Sequence, residues 1–207
     1  MDLKNLLIEF WNYRKENNIE IYNEFSLQHE LGIFLRNNLP EYKVQFERNV
    51  SYFFRNVDTK KKEMDIVIFR PDMSERYAVE LKYPKNGQHP EQMFAFIGDI
   101  KFMERVKELG FNGTFVMTFV EDRLFYDGND CSGIYAFFRA NKELNGTVQK
   151  PTGKRDDFIK LNGSYKIQWN KLNGSEHYYL LELWFYFINF NTLYNCGYIK
   201  CGGSRTY

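Results

Sequence analysis

KKEMDIVIF (Lys61–Phe69) and RYAVELKYP (Arg76–Pro84) decide how this chain is read. Each is a run of strand-forming residues with charged side chains set inside it. Between them lies Arg70-Pro71-Asp72-Met73-Ser74-Glu75, a stretch of turn formers. Folding the chain back at Asp72-Met73 sets Asp65 opposite Glu80 and Glu63 opposite Lys82. Strand side chains alternate between faces. Glu63, Asp65 and Val67 therefore share a face with Ala78, Glu80 and Lys82. Met64, Ile66 and Ile68 share the other with Val79, Leu81 and Tyr83, and that is a core face. A shift by one pairing step leaves Asp65 and Glu80 on one face, provided neither strand carries a bulge.

The first face is apolar near the turn and charged at its far end. Directly opposed residues have Cβ atoms about 4.5–5.5 Å apart. Two carboxylates at that spacing repel each other and resist desolvation. A divalent metal between them relieves both problems, and a phosphate could be drawn to the adjacent amine. The alternative is an exposed sheet edge carrying a Glu63–Lys82 pair. Against it stand Val79, Leu81 and the run Ile66-Val67-Ile68, which read as interior strands, where charge is costly.

The chain has 207 residues, 43% of them hydrophobic, with 20 Phe and 15 Tyr. That suffices for one domain with a ring-rich core. Its net charge of +1 gives no polycationic character, although a nucleic-acid partner needs only a local basic patch. Cys131, Cys196 and Cys201 form neither a disulfide framework nor a zinc set, so a reducing, cytoplasmic setting is expected. The first residues lack the pattern of a secretory signal. Tyr178–Phe190 is apolar but short and interrupted by Glu182, so no membrane span is expected. Its aromatic surplus could instead form the face of a homodimer.

Helical spacing of Leu3, Leu6, Leu7, Phe10 and Trp11 predicts a first helix including Asn5–Arg14. Ser26 reads as the N-cap of a second, ending before Pro40. Glu30 borders its apolar stripe, and periodicity leaves both a cleft-facing and a solvated position open. Tyr42–Tyr52 alternates as a strand. Pro84–Pro90 reads as a loop, and Glu91–Leu109 as an amphipathic helix ended by Gly110. Thr114–Val120 reads as a buried strand, Gly133–Ala140 as another, and Glu176–Phe187 as a strand returning to the core. The expected class is α/β, a central mixed sheet flanked by helices, in one domain over 1–207. Its core is 25–140, followed by a basic loop or insertion at 141–174 and a C-terminal strand and tail at 175–207. Lys150, Lys154, Arg155, Lys160, Lys166 and Lys171, with Tyr165 and Trp169, make 141–174 either a nucleic-acid contact surface or a plain surface meander. Lys61 and Lys62 precede the hairpin at its charged end. His29 and His89 lack the spacing of a zinc pair.

Asp65 followed by Glu80-Leu81-Lys82, with Glu30 on a preceding helix, resembles the PD-(D/E)XK, or restriction-endonuclease-like, nuclease superfamily. The resemblance covers about Phe25–Ala140 and rests on element order as well as on letters. Met64 stands where the naming proline would be. The resemblance implies a restriction-endonuclease-like core and Mg²⁺-dependent hydrolysis of DNA phosphodiesters, with Mn²⁺ as a substitute. Asp65, Glu80, Lys82 and Glu30 would be catalytic, and Asp65, Glu80, the Leu81 carbonyl and Glu30 would hold metal. Lys82 would hold the attacking water and offset charge, and Glu30 would take a second metal or orient a metal-bound water. Gln92, or Gln88, would be the functional glutamine of the following helix. Lys61, Lys62, Gln88, His89, Gln92, Lys154 and Arg155 are candidate substrate contacts. DNA rather than RNA comes only from the resemblance. The competing expectation is a non-catalytic nucleic-acid-binding or protein-interaction module on the same scaffold.

Overall fold

Three consecutive strands, β1 (Lys43–Asn49), β2 (Glu63–Phe69) and β3 (Arg76–Lys82), form an antiparallel meander in the computed structural model, which describes residues 1–55, 63–85, 87–153 and 156–183. The β2–β3 register runs from Phe69↔Arg76 to Ile66↔Val79, the pairing expected from a turn at Asp72-Met73. Arg70 N–H donates to the Glu75 carbonyl at 3.0 Å, and Asp72 Oδ1 accepts from Ser74 N–H at 3.0 Å. Met73 takes a left-handed φ of 63°.

A long helix, α3 (His89–Glu108), crosses from β3 to the parallel strand β4 (Gly113–Val120). Two further strands, β7 (Asn170–Lys171) and β8 (His177–Glu182), complete a six-stranded sheet in the order β1-β2-β3-β4-β8-β7. The sheet is mixed and covered on both faces. Helices α1 (Leu3–Glu16) and α2 (Glu24–Asn38) close over Ile66, Ile68, Val79, Leu81, Phe115 and Phe119. Helix α3 packs the other face, over Val67, Ala78, Val116 and Tyr179. Burial from both sides explains why all eight residues of β4 are buried and why its sequence does not alternate. Met64 joins the α3 side with Val67 rather than the Ile66 side. Strict alternation thus fails at Asp65, beside Glu47 on the neighbouring strand β1, whose φ is +47°.

Several local expectations are corrected. The N-cap of α2 is Asn23, not Ser26; Ser26 is the third helical residue and closes a reciprocal capping box with Asn23. The stretch after Tyr42 is a strand only to Asn49, and Val50–Tyr52 is a 3-10 turn. Helix α3 starts at His89, with Pro90 in its first turn, where a missing N–H costs nothing. Gly133–Ala140 is not a strand but contains the short helix α4 (Tyr135–Arg139). Its buried residues Ile134, Ala136 and Phe138 satisfy a two-residue period, while Ile134 and Phe138 also lie one helical turn apart. Arg139 favours the helix by donating to the carbonyls of Leu124 and Asp130. The segment 141–174 is more ordered than a loop or meander. It holds a two-stranded hairpin, β5 (Leu144–Gln149) with β6 (Phe158–Tyr165). Glu104 of α3, fully buried, accepts from Asn162 N–H, Gly163 N–H at 2.7 Å and the Tyr165 hydroxyl at 2.9 Å, which fixes the hairpin to the helix.

Helix α2 meets β1 at Gly32. A Cβ there would stand 2.1 Å from Cζ of Phe46, whose ring also carries the Arg36 guanidinium at 4.8 Å. Gly32→Ala should therefore lower unfolding free energy by about 1–3 kcal/mol, an overpacking cost, measurable by urea denaturation. Unchanged stability would mean that Phe46 moves freely.

At the turn end of the meander, hydrogen bonds from Arg70, then Tyr42 and Tyr77, hold the Glu75 carboxyl down at about 2, against an ordinary value of 4.5. The stabilisation is present above pH 4.5 and is lost as pH falls through about 2. Glu75→Gln should flatten this acid branch of the stability profile in urea unfolding between those values. An identical branch in the variant would remove Glu75 from it.

Candidate active site

At the other end of the hairpin the β2–β3 ladder stops at Ile66↔Val79, and the strands part. The expected Glu63–Lys82 pair does not form; Glu63 is exposed and aligned with Asn49. Asp65 bridges the gap with its side chain, Oδ2 accepting from Leu81 N–H at 2.7 Å. This draws a carboxylate that is only 8% exposed against the peptide following Glu80, which is fully buried.

Lys82 ends β3 and reaches both helical layers. Its ammonium donates to the Leu81 carbonyl at 3.2 Å and lies 3.5 Å from Glu24 Oε1, 3.7 Å from Asp99 Oδ2 and 3.9 Å from Glu80 Oε1. Burial pulls this ammonium toward neutrality, but the charges of Asp99, Glu24, Glu80 and Asp65 outweigh it and push Lys82 up. The group is therefore a fixed cation at neutral pH.

The helical acid in this cluster is Glu24, not Glu30. Glu24 is the first residue of α2 after the Asn23 cap, where a carboxylate suits the helix dipole. Its Oε2 accepts from Tyr83 N–H at 3.0 Å. Glu30, six residues on, meets His29 Nδ1 at 3.9 Å. Asp99 is the second residue the sequence reading missed. It lies in the buried stripe of α3 between Phe96 and Met103 and is 7% exposed. An acid inside a core-facing stripe was a signal of the same kind that picked out Glu80.

A small cavity of about 20 Å³, room for a single water-sized particle, is lined by Glu24, Phe25, Gln28, Glu47, Asp65 and Leu81. Gln28 Nε2 donates to the Asp65 carbonyl at 2.9 Å and to Glu47 Oε1 at 2.5 Å. Glu47 is one of the few non-glycine residues with a left-handed φ, and strain of this kind gathers at functional sites. Among the described residues no group of three or more His, Cys, Asp or Glu side chains is arranged to hold a metal by itself.

The remaining candidates divide. His89 is engaged in the fold, with Nε2 2.6 Å from Asp122 Oδ2 and its ring against Phe125. Gln88 is exposed ahead of α3, and Gln92 is half-buried on the same stripe as Asp99, seven residues earlier. Lys61, Lys62, Lys154 and Arg155 lie outside the described residues, as do Cys196, Cys201 and the 184–207 part of the expected C-terminal strand and tail. Among the described residues no helix is long and apolar enough to cross a membrane.

Lys82→Met removes the cation around which Glu24, Glu80 and Asp99 gather. The variant should lose on the order of 3 kcal/mol of stability, as when one partner of a buried pair is deleted. Added Mg²⁺ should raise its melting temperature more than that of the parent protein. Equal melting temperatures for the two proteins would contradict the central place given to Lys82.

No protein-family model, no curated protein and no solved structure matches the chain.

Proposed function

We propose that this chain is a metal-dependent nuclease of the restriction-endonuclease-like kind, hydrolysing DNA phosphodiesters at the parted end of β2 and β3. One observation carries the reading. Asp65, Glu80 and Lys82 meet at the point where the strands separate, held by the Asp65–Leu81 bond and the Lys82 contacts.

The donor set suits a hard divalent cation. Mg²⁺ takes oxygen ligands and needs only one or two carboxylates, the rest coming from phosphate and water. Asp65, Glu80 and the Leu81 carbonyl offer such a set. Lys82 already lies within 4 Å of oxygens from Leu81, Glu24, Asp99 and Glu80, so this pocket favours cations. Bound there, the metal would polarise a phosphoryl oxygen and acidify water.

The chain's own residues do the rest. Lys82, held as an ammonium, cannot accept a proton. It holds the attacking water and offsets the charge that grows on the phosphoryl oxygens. Glu24, more exposed than the other three carboxylates around Lys82, is the group suited to take the proton from that water. The water oxygen bonds to phosphorus while the bond to the departing sugar oxygen breaks, and that oxygen leaves with a proton from solvent. Asp99 keeps Lys82 aimed from the α3 side.

A second reading, a non-catalytic nucleic-acid-binding or interaction module, draws on one observation. A lysine surrounded by four oxygens is already a complete structural tie between β3, α2 and α3.

Incubation with supercoiled, linear, single-stranded and branched DNA separates the readings. Cleavage should require Mg²⁺ or Mn²⁺ and cease on chelation. Asp65→Ala and Glu80→Ala should lose metal binding and cleavage together, the latter on the order of a thousandfold, since metal stabilisation is worth several kcal/mol. Lys82→Ala should keep metal binding and lose cleavage. A folded wild type that cuts none of these substrates, like its Asp65→Ala variant, would give way to the binding module.

A further inference from the structure

Phe25 and Tyr22 are the most exposed large hydrophobic residues among those described, at 74% and 62%. Phe25 also lines the cavity beside Asp65, Glu24, Gln28 and Glu47. Both rings stand on a rigid mount. Ser26 Oγ accepts from Tyr22 N–H at 2.9 Å and Asn23 N–H at 3.0 Å, and Asn23 Oδ1 accepts from Ser26 N–H at 2.8 Å. Glu24, which lies between the two residues in the chain, is bound to Tyr83 and Lys82. The backbone is thus pinned while the ring faces are left to solvent, a costly arrangement for phenylalanine.

We propose that Phe25, with Tyr22 beside it in the chain, is a stacking platform for an unpaired nucleobase next to the scissile phosphate, so that the substrate is single-stranded or locally unpaired DNA. The proposal rests on the nuclease reading above. Phenylalanine has no hydrogen-bonding group, so its exposed face offers only stacking, which any base can accept. Three acidic residues, Glu24, Glu47 and Asp65, line the cavity beside it together with Gln28 and Leu81. Without a bound cation these acids repel a phosphate, whereas a neutral base is tolerated with or without one. A paired duplex keeps its bases stacked inside, where Phe25 cannot reach them. The platform therefore selects for strands that expose a base beside the hairpin end.

The test uses a fluorescein-labelled single-stranded oligonucleotide and its duplex, with the full chain and Ca²⁺ in place of Mg²⁺, read by anisotropy. Phe25→Ala should weaken single-strand binding about tenfold while changing duplex binding by less than about twofold, and Phe25→Trp should restore it. With Mg²⁺, a duplex carrying an unpaired bubble should be cut within the bubble. Single-strand binding by Phe25→Ala equal to wild type overturns the platform, as does an equal loss on duplex. So does a variant whose only change is lost self-association in sedimentation, since the rings would then serve a second copy of the chain. A wild type that binds neither oligonucleotide overturns both readings. Selective loss in Phe25→Ala without cleavage by the wild type leaves the platform and removes the nuclease; cleavage indifferent to Phe25→Ala does the reverse.

Discussion

Everything at the candidate site is arranged around the ammonium of Lys82. It is contacted from its own strand by Leu81 and Glu80, from α2 by Glu24 and from α3 by Asp99. One point charge thus ties the sheet to both helical layers. At such spacings an ion pair gains about 4 kcal/mol with an effective dielectric of 20. Removing each ion from water costs several kcal/mol. The two nearly cancel, so the network adds little to stability, and well-packed apolar residues would serve the fold as well. On the proposed function, the charge cluster serves chemistry rather than folding.

The cluster depends on two departures from regular structure. The first is the parting of β2 and β3 beyond Ile66, which frees the Leu81 amide for the Asp65 side chain. A continuous ladder would have used that amide within the strands. The second is the capping of α2 at Asn23, which puts Glu24 rather than a later residue at the helix end nearest β3. Helix α3 then contributes Asp99 from the opposite face. Its crossover from β3 to β4 lays it along the strand end where Lys82 emerges.

The hairpin was legible in the sequence because two strand-forming runs flank a stretch of turn formers, and of the neighbouring registers left open the one set by a turn at Asp72-Met73 is found. The mixed sheet and its flanking helices were legible from the change of period along the chain. Glu24 went unread because the α2 start was placed at Ser26, which left it outside the helix, whereas Glu30 came from the family resemblance alone. A capping box makes Asn23 and Ser26 look alike as caps, and only the first sets the frame in which Glu24 begins the helix. Asp99 was hidden in a stripe whose hydrophobic neighbours satisfied the helical period without it. The strand read into Gly133–Ala140 failed because eight mostly apolar residues fit both periods. The β5–β6 hairpin escaped notice because it buries little more than Leu144, Val148, Leu161 and Tyr165, and takes its anchor from Glu104 on a distant helix.

The most direct measurement of the central claim is an anomalous difference map from a crystal of this protein soaked in Mn²⁺, compared with the same crystal form of Asp65→Ala. The account predicts a peak in contact with the carboxylates of Asp65 and Glu80 in the wild type, with Lys82 still beside Glu80, and no peak in the variant. A map without a peak at these carboxylates, or one equally strong in Asp65→Ala, would contradict it.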